Sequence, residues 1–257
     1  MAGDNDSGFK AACIQFDVVR GDVATNLARA THLVESAAAD EAVMLVLPEM
    51  WTTSFPRELT DDLLRESEAA EERLRQLSEQ HDLVTVGSSL ERTDAGWHNT
   101  ARVYDCGVEV GRYRKIHLFT PQGENRTMAA GSTPLVVDTS LGRVGVVICY
   151  DLRFPELIRF LFHCSVEYLV VPAQWPEARS NHWRALAEAR AMENQCYVLA
   201  CNRSGQEQSL KLDEQLVFPG DSRIIAPMGV ILAEGSGDDE PVVADLEPRR
   251  IRTMRRI

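Results

Sequence analysis

The chain has 257 residues, with 27 Lys and Arg residues against 39 Asp and Glu residues, which gives a formal net charge of −12 at pH 7. This acidic balance repels the phosphate backbone of nucleic acids and argues against a nucleic-acid partner. The composition, 44% hydrophobic and 26% charged, is typical of a globular protein with a sizeable core, and no apolar run approaches the roughly 20 residues that span a bilayer.

The first residues and the cysteines bear on the cellular compartment. Residues 1–8 are polar and lack the apolar segment of a secretory signal, so we expect a flexible tail there. The six cysteines are scattered and form no Cys-x-x-Cys pair. This spacing favours reduced thiols and the cytoplasm over a disulfide framework or a zinc site.

The first half of the chain alternates strand-like and helix-like segments. An apolar run at 11–16 predicts a strand, and apolar residues at helical spacing predict a helix over 22–39 that Asp22 can cap. The next predicted elements are a buried strand at 43–47, an acidic amphipathic helix at 61–80, a strand at 83–88 and an antiparallel hairpin over 99–115. This order predicts β-α-β units followed by a reversal of strand direction.

The second half repeats the alternation and ends in short strands. The predicted elements are strands at 144–148, 168–171 and 197–202, helices at 155–162 and 180–193, and an edge meander formed by 222–226, 230–233 and 242–245. Nearly continuous apolar strands indicate that both faces of the sheet are covered. Because no linker divides the chain, we expect a single α/β domain with a mixed sheet over residues 1–257.

Three reactive residues follow predicted strands, at the sheet edge where open α/β folds bind ligands. Glu49 follows the strand at 43–47, Lys115 ends the hairpin, and Cys149 follows the strand at 144–148. A thiol becomes nucleophilic when a base takes its proton or a cation lowers its pKa, and Glu49 and Lys115 can supply these. Lys115 and the backbone N–H of Tyr150 can also stabilise the oxyanion formed when Cys149 attacks a carbonyl. The pattern predicts an acyl-transfer site without histidine.

Each of these residues also has a structural interpretation. Glu49 can cap a helix or form an ion pair, and Lys115 can be a surface charge. Cys149 precedes a polar turn, where its side chain can emerge on a sharp bend. Most cysteines in strands are buried and structural, and we expect this of Cys13, Cys106, Cys164, Cys196 and Cys201.

The segments LVLPEMWTT, YRKIHLF and VGVVICYDLRFPEL resemble the three signature regions of the carbon–nitrogen hydrolase (nitrilase) superfamily, in the same order. The likeness continues through NHWRALAEARAMENQCYVLACNRSG and GDSRIIAPMGVILAE and so covers nearly the whole chain. It implies a four-layer αββα sandwich with mixed sheets, and hydrolysis of non-peptide amides through a thioester. It also implies that Glu49 is the general base, Lys115 the oxyanion stabiliser and Cys149 the nucleophile. Glu124 matches the family's second glutamate, which orients the lysine or the substrate amine.

Within the superfamily, CYDLRFPEL and QWPEARSNHW are most similar to bacterial ω-amidases, which act on 2-oxoglutaramate or 2-oxosuccinamate. Gln174 departs from the Asn expected before Trp-Pro in that type, which changes the hydrogen bonds at the pocket wall. We expect Arg153 to anchor the substrate carboxylate and Trp175 to line the pocket. Alternatively, Arg153 pairs with Asp151 or Glu156 to brace the turn, and Trp175 caps the core.

The resemblance leaves other functions open: a deaminated-glutathione amidase, an N-carbamoyl amidase, a true nitrilase or a non-catalytic metabolite-binding member. His98, His117 and His182 fit no metal-ligand spacing, and the sequence carries no dinucleotide or P-loop fingerprint. We therefore expect neither a metal nor an organic cofactor, and a small-molecule amide as the ligand.

The resemblance also implies at least a homodimer. The C-terminal extension over residues 246–257 is rich in arginine. We expect it to lie at the subunit contact through its apolar residues, which are Ile251, Met254 and Ile257.

Overall fold

The computed structural model describes residues 8–211 and 213–255. Within these ranges the chain forms two six-stranded sheets, a two-stranded hairpin and five α-helices. Of the predicted tail at residues 1–8, only the exposed Gly8 belongs to the described residues. No helix in the described part of the chain is long and apolar enough to cross a membrane.

The first sheet is mixed and carries two helices. Its strands are β1 (Phe9–Gln15), β2 (Ala42–Val46), β3 (Val84–Thr93), β4 (Gly96–Asp105), β5 (Val108–Arg114) and β14 (Glu240–Leu246). Its helices are α1 (Val23–Ala39) and α2 (Asp61–Gln80). β1, β2 and β3 are parallel, because each helix carries the chain back to the start of the next strand, whereas β3, β4 and β5 form an antiparallel meander.

The second sheet has the same plan. Its strands are β6 (Leu135–Thr139), β7 (Gly142–Val146), β8 (Tyr168–Ala173), β9 (Tyr197–Asn202), β12 (Arg223–Ile225) and β13 (Ile231–Glu234). Its helices are α3 (Pro155–His163) and α4 (Ser180–Asn194). β7, β8 and β9 are parallel, and antiparallel strands flank them on both sides. A separate hairpin consists of β10 (Ser204–Gln208) and β11 (Gln215–Pro219).

The alternation of side chains along the strands separates two apolar cores. In β1, Ala11 and Cys13 lie in the core between the two sheets, whereas Ala12 and Ile14 pack with α1 and α2. The two sheets therefore face each other and the helices cover their outer faces. This confirms the predicted four-layer αββα sandwich with mixed sheets.

The predicted elements agree with the observed ones except near the C-terminal end. Asp22 caps α1 as expected, with its side chain accepting a hydrogen bond from the backbone N–H of Thr25 at 3.0 Å. The predicted edge meander is wrong, because β14 leaves the β12–β13 hairpin and pairs antiparallel with β1 in the first sheet. That position buries Val242 and Leu246 in the core between the sheets.

The C-terminal extension forms a short helix, α5 (Pro248–Arg255), against its own chain. Ile251 is only 1% exposed and belongs to the core of this single chain, so the predicted subunit contact is wrong for that residue. Met254 is partly exposed, and for this residue the contact stays a prediction. Ile257 lies outside the described residues.

Candidate active site

Glu49, Lys115 and Cys149 reach one cavity from three different strands. Glu49 lies shortly after β2, Lys115 directly after β5 and Cys149 shortly after β7. The backbone N–H of Glu49 donates to the carbonyl of Ala173 at the end of β8, at 3.4 Å. This hydrogen bond joins the two sheets at the edge where their parallel strands end, and so places Glu49 of the first sheet beside the second.

A buried ion cluster surrounds Lys115. Its ammonium lies 2.7 Å from Glu49 Oε1 and 2.8 Å from Glu124 Oε2, and all three side chains are at most 3% exposed. Glu124 begins a short 3₁₀ turn and also accepts a hydrogen bond from the backbone N–H of Phe119 at 2.6 Å. A charge this deeply buried is stable only when it is paired, so the two carboxylates hold the ammonium in a fixed position.

Asn99, on β4, connects the two carboxylates and has no signal in the sequence that singles it out. Its side-chain N–H group donates to Glu49 Oε1 at 2.8 Å and to Glu124 Oε1 at 3.3 Å. Its backbone carbonyl accepts from the N–H of Lys115 at 2.9 Å. Asn99 therefore contacts all three charged residues and fixes their relative positions. It does so from β4, the strand next to β5, which directly precedes Lys115.

Cys149 sits on a strained turn. Its φ of 46° lies in the left-handed region, which non-glycine residues rarely adopt. The turn continues as a 3₁₀ segment over Cys149–Arg153, in which the Asp151 carboxylate accepts from the N–H of Ile148 at 3.0 Å. The thiol points to the carbonyl of Gln174, with Sγ and oxygen 3.8 Å apart. The sharp bend presents the side chain to the cavity, as expected from the polar turn in the sequence.

Gln174 follows β8 and fastens Glu49 from the second sheet. Its backbone N–H donates to Glu49 Oε2 at 3.1 Å, and its side-chain N–H group donates to the Glu49 carbonyl at 2.8 Å. Its side-chain oxygen accepts from Arg203 and from Ser54, each at 3.2 Å. The buried Arg203 thus fixes the orientation of the amide. The longer side chain, where Asn was expected, spans from the backbone of Glu49 to this guanidinium.

The cavity has a volume of about 320 Å³. Besides the three reactive residues, it is lined by aromatic rings, among them Phe55, Phe119 and Phe218. Apolar walls around a few polar groups are typical of a small-molecule site.

Burial and the neighbouring charges shift the pKa values of the three reactive groups. It raises the pKa of Glu49 above its usual value, although the charge of Lys115 opposes this shift. Burial alone would lower the pKa of Lys115, but the charges of Glu124 and Glu49 raise it well above its usual value. Burial also raises the pKa of the Cys149 thiol well above its usual value, and the charge of Glu49 adds to the shift. The resting site therefore contains an ammonium and a protonated thiol, and the thiol needs a base when it attacks.

The predicted substrate-binding residues do not all reach the cavity. Gln174 lines it, whereas Tyr150, Arg153 and Trp175 are not among its lining residues. The ring of Tyr150 packs against Phe119, with ring centres 5.0 Å apart. Trp175 is 3% exposed, and its indole N–H donates to a backbone carbonyl. The interpretation of Trp175 as a cap on the core therefore fits better than a pocket wall.

Arg153 contacts Trp175 and His182 and is not among the residues that line the cavity. Its guanidinium carbon lies 4.7 Å from the ring centre of Trp175, and the group lies 3.1 Å from Nδ1 of His182. It does not line the cavity and forms neither predicted ion pair, with Asp151 or with Glu156, and its role as a carboxylate anchor stays a prediction. The turn at Cys149 directs this side chain toward α4 instead.

The other cysteines are not all buried, contrary to the prediction. Cys13, Cys196 and Cys201 are buried, but Cys106 is exposed and Cys164 is partly exposed. Cys106 occupies the tight turn between β4 and β5 with a φ of 46°, and a hairpin turn has no core to enter. All six cysteines are free thiols.

Known proteins are similar to this chain in sequence and in fold. The family model described as carbon-nitrogen hydrolase matches residues 10–256. The chain is 35% identical to the 2-oxoglutaramate amidase of Bacillus subtilis over 92% of its own length and 90% of the relative's. It is 31% identical to the deaminated glutathione amidase of a Synechocystis strain, over 96% of this chain and 94% of the relative. A nitrilase-superfamily structure from Saccharomyces cerevisiae superposes with a TM-score of 0.84 at 27% identity, covering 100% of this chain and 96% of that one.

Proposed function

Because the chain belongs to the carbon–nitrogen hydrolase family, we propose that it releases ammonia from the ω-amide of a small 2-oxo acid, such as 2-oxoglutaramate. The observation that carries this proposal is the buried contact of Lys115 with both Glu49 and Glu124, in a cavity that Cys149 also lines. Similarity to a 2-oxoglutaramate amidase along nearly the full length of both chains supports the substrate. The enzyme class is that of an amidase.

In the acylation half of the reaction, Cys149 Sγ attacks the amide carbon while the Glu49 carboxylate takes the thiol proton. The carbonyl oxygen becomes an oxyanion, which Lys115 and the backbone N–H of Tyr150 stabilise. Glu49 then passes the proton to the amide nitrogen as the C–N bond breaks. Ammonia leaves, and the acyl group stays on sulfur as a thioester.

In the deacylation half, water attacks the thioester carbon, and Glu49 takes one of its protons. The C–S bond breaks, the carboxylic acid forms, and the proton on Glu49 returns to the sulfur. The sum is one amide and one water converted to one acid and one ammonia. A carboxylate with a raised pKa suits both halves, because it must hold the proton between steps and then release it. Glu124 keeps Lys115 aimed at the oxyanion.

The test is ammonia release from 2-oxoglutaramate and 2-oxosuccinamate by the wild type, by Cys149→Ala and by Cys106→Ala. Cys106 is an exposed thiol that does not line the cavity, so it is a matched control. We expect Cys149→Ala to lose turnover while Cys106→Ala retains it. Normal turnover by Cys149→Ala would contradict the mechanism, and no Cys149-dependent release from either amide would contradict the substrate.

A deaminated-glutathione amidase is the second candidate function. The cavity, at about 320 Å³, is large enough for a ligand bigger than a five-carbon amide. The 31% identity to a deaminated glutathione amidase also supports this second candidate. Comparing kcat/KM for 2-oxoglutaramate and deaminated glutathione separates the two, because specificity is the ratio of these values. A higher value for deaminated glutathione would favour the second candidate.

We further propose a homodimer that works in the cytoplasm. Four large apolar side chains are exposed on α3, on α4 and in the turn that joins β12 to β13, namely Phe160, Met192, Met228 and Val230. Exposed apolar clusters mark contact surfaces, and two-fold dimers are the commonest oligomers. Six free thiols suit a reducing compartment. Light scattering should give a dimer for the wild type and a monomer for a variant with Phe160→Asp and Met192→Asp. A monomeric wild type would contradict the proposal.

A further inference from the structure

The proposed substrate carries a carboxylate, and the cavity contains cations that can bind one. Among the described residues that line the cavity, the cationic ones are Arg20, Arg57, Lys115, Arg126 and Lys211. A cation that is already held by protein partners contributes less to binding a separate, permanently charged substrate carboxylate, because its existing contacts must first be exchanged. The partners of each cation therefore decide which of them can receive a substrate carboxylate.

Three of the cations are engaged within the protein. Lys115 is held by the buried carboxylates described above. Arg20 forms an ion pair with Glu207 at 2.8 Å. Lys211 donates to the backbone carbonyl of Pro121 at 2.7 Å. Each of these groups therefore has a structural partner within the protein.

Arg57 and Arg126 differ from these three. Both are exposed, and neither guanidinium forms a hydrogen bond or an ion pair within the described part of the chain. Arg57 lies in the loop that follows Glu49, and Arg126 ends the 3₁₀ turn that Glu124 begins. Each of the two loops thus supplies one carboxylate of the buried cluster and one unpaired guanidinium to the same cavity.

We propose that Arg57 and Arg126 form the binding site for the carboxylate of the substrate, opposite the amide that Cys149 attacks. This inference rests on the proposed function, because it assumes a substrate with an amide at one end and a carboxylate at the other. A guanidinium matches a carboxylate with two parallel hydrogen bonds, and two of them fix both its position and its direction.

The charge of the cavity supports the assignment. Glu49, Glu124 and Glu207 supply three carboxylates to the lining, and the engaged cations Lys115, Arg20 and Lys211 supply three positive charges. Without further cations the lining would carry no net charge to attract an anionic substrate. The two unpaired guanidiniums make the lining net positive, so the preference for an acid amide over a neutral amide depends on them.

The preference is measured with succinamate and its methyl ester, which share the amide and differ in the charge at the other end. We expect Arg57→Gln and Arg126→Gln each to lower the ratio of kcat/KM for succinamate to that for the ester by about tenfold, and the double variant by about 10- to 100-fold. Arg57→Lys should retain part of the preference, because lysine keeps the positive charge but cannot form the two parallel hydrogen bonds of a guanidinium. A wild-type ratio in the double variant would overturn the proposal.

Arg65→Gln is the matched control. Arg65 is an exposed arginine on α2 that pairs with Asp62 and does not line the cavity. Removing it changes the net charge of the protein by the same amount, so a similar fall in the ratio would show a general electrostatic effect and overturn the proposal. Circular dichroism and urea unfolding of each variant check that the fold is intact.

A second measurement separates this site from the proposed function, because it requires no turnover. Succinate should protect Cys149 from iodoacetamide in the wild type and lose this protection in the double variant, as followed by mass spectrometry with Cys106 as the exposed reference. If the wild type hydrolysed no acid amide but succinate protected in this Arg-dependent way, the function would be wrong and the carboxylate site would stand. If ammonia release occurred while protection survived in the double variant, the site would be wrong and the function would stand.

Discussion

Replacing Asp151 with Asn tests how the turn of the proposed nucleophile is held against the Lys115 segment. Asp151 is fully buried, and one of its oxygens accepts from the N–H of Ile148 at 3.0 Å and from the hydroxyl of Tyr113 at 2.7 Å. Its other oxygen accepts from the backbone N–H of His117 at 2.8 Å and lies 2.8 Å from Nδ1 of the same residue. Tyr113 and His117 flank Lys115 in the sequence, so one carboxylate ties the two segments together.

The size of the stability loss follows from the hydrogen-bonding groups of the Asn side chain that replaces the carboxylate. Asn has one oxygen and one NH₂ group, so either orientation turns a donor toward a backbone N–H, that of Ile148 or that of His117. A hydrogen bond to a charged acceptor contributes about 1.5–3 kcal/mol, and a buried donor left unpaired costs about 1–3 kcal/mol. We therefore expect Asp151→Asn to lower the free energy of unfolding by about 3–5 kcal/mol. A shift of the turn by about 1 Å would also lower kcat/KM by roughly 100-fold.

Urea unfolding and steady-state kinetics measure these two effects, with Tyr113→Phe as the graded comparison. Burial, and then the charge of Asp151, raise the pKa of Tyr113 well above its usual value, so its hydroxyl is a neutral donor at all working pH values. Tyr113→Phe removes that donor and leaves the N–H groups of Ile148 and His117 paired with Asp151. The free energy of unfolding should therefore fall by a smaller amount, about 1–2 kcal/mol. Equal losses in the two variants, or wild-type stability and activity in Asp151→Asn, would refute the reasoning.

Three further predictions concern the general base Glu49, the hydrogen bonds of Asn99 and the packing of Gly87 against Trp51. Activity should rise with pH through the raised pKa of Glu49, because only the carboxylate accepts the thiol proton; an acidic limb of kcat/KM at the usual glutamate pKa would contradict this. Asn99→Leu removes the donor that Glu49 and Glu124 share and should lower kcat/KM about 10- to 100-fold, so unchanged kinetics would rule out that role. Gly87→Ala places a methyl group 2.9 Å from Trp51 and should lower the free energy of unfolding by about 1–3 kcal/mol, which an unchanged urea midpoint would disprove.

The pattern of apolar residues along the sequence was enough to predict most strands and helices, and the strand ends were enough to predict that the reactive residues lie close together. Nearly continuous apolar runs mark β1 to β3, and apolar residues at helical spacing mark α1 to α4, because the burial of each element follows directly from its pattern. In each sheet the carboxyl ends of the parallel strands lie at one edge, and the two sheets meet at that edge, so Glu49 after β2 and Cys149 after β7 line one cavity. The roles assigned to these residues stay predictions.

The sequence could not show which way side chains point where the backbone is irregular. Arg153 ends the 3₁₀ turn that Cys149 begins, and its direction depends on the φ of Cys149 and on the rings it stacks against. Asn99 is one of several polar residues on β4, and only the register with β5 places it between two carboxylates. The strand β14 has an apolar alternation that fits either sheet, so its partner is set by the space left beside β1.

The charge of the buried cluster explains how the nucleophile would be activated. Two carboxylates, Glu49 and Glu124, surround the single ammonium of Lys115, and neutral donors such as Asn99 offset part of the excess negative charge. A resting thiolate on Cys149 would add another buried negative charge, in line with the raised pKa of the thiol, which results from burial and from the charge of Glu49. Under the proposed mechanism, therefore, the proton must move to Glu49 as the C–S bond forms, so that the new charge develops on the substrate oxygen rather than on sulfur. Lys115 then acts on that oxygen, and its pairing with Glu49 and Glu124 fixes its position before the transient charge develops.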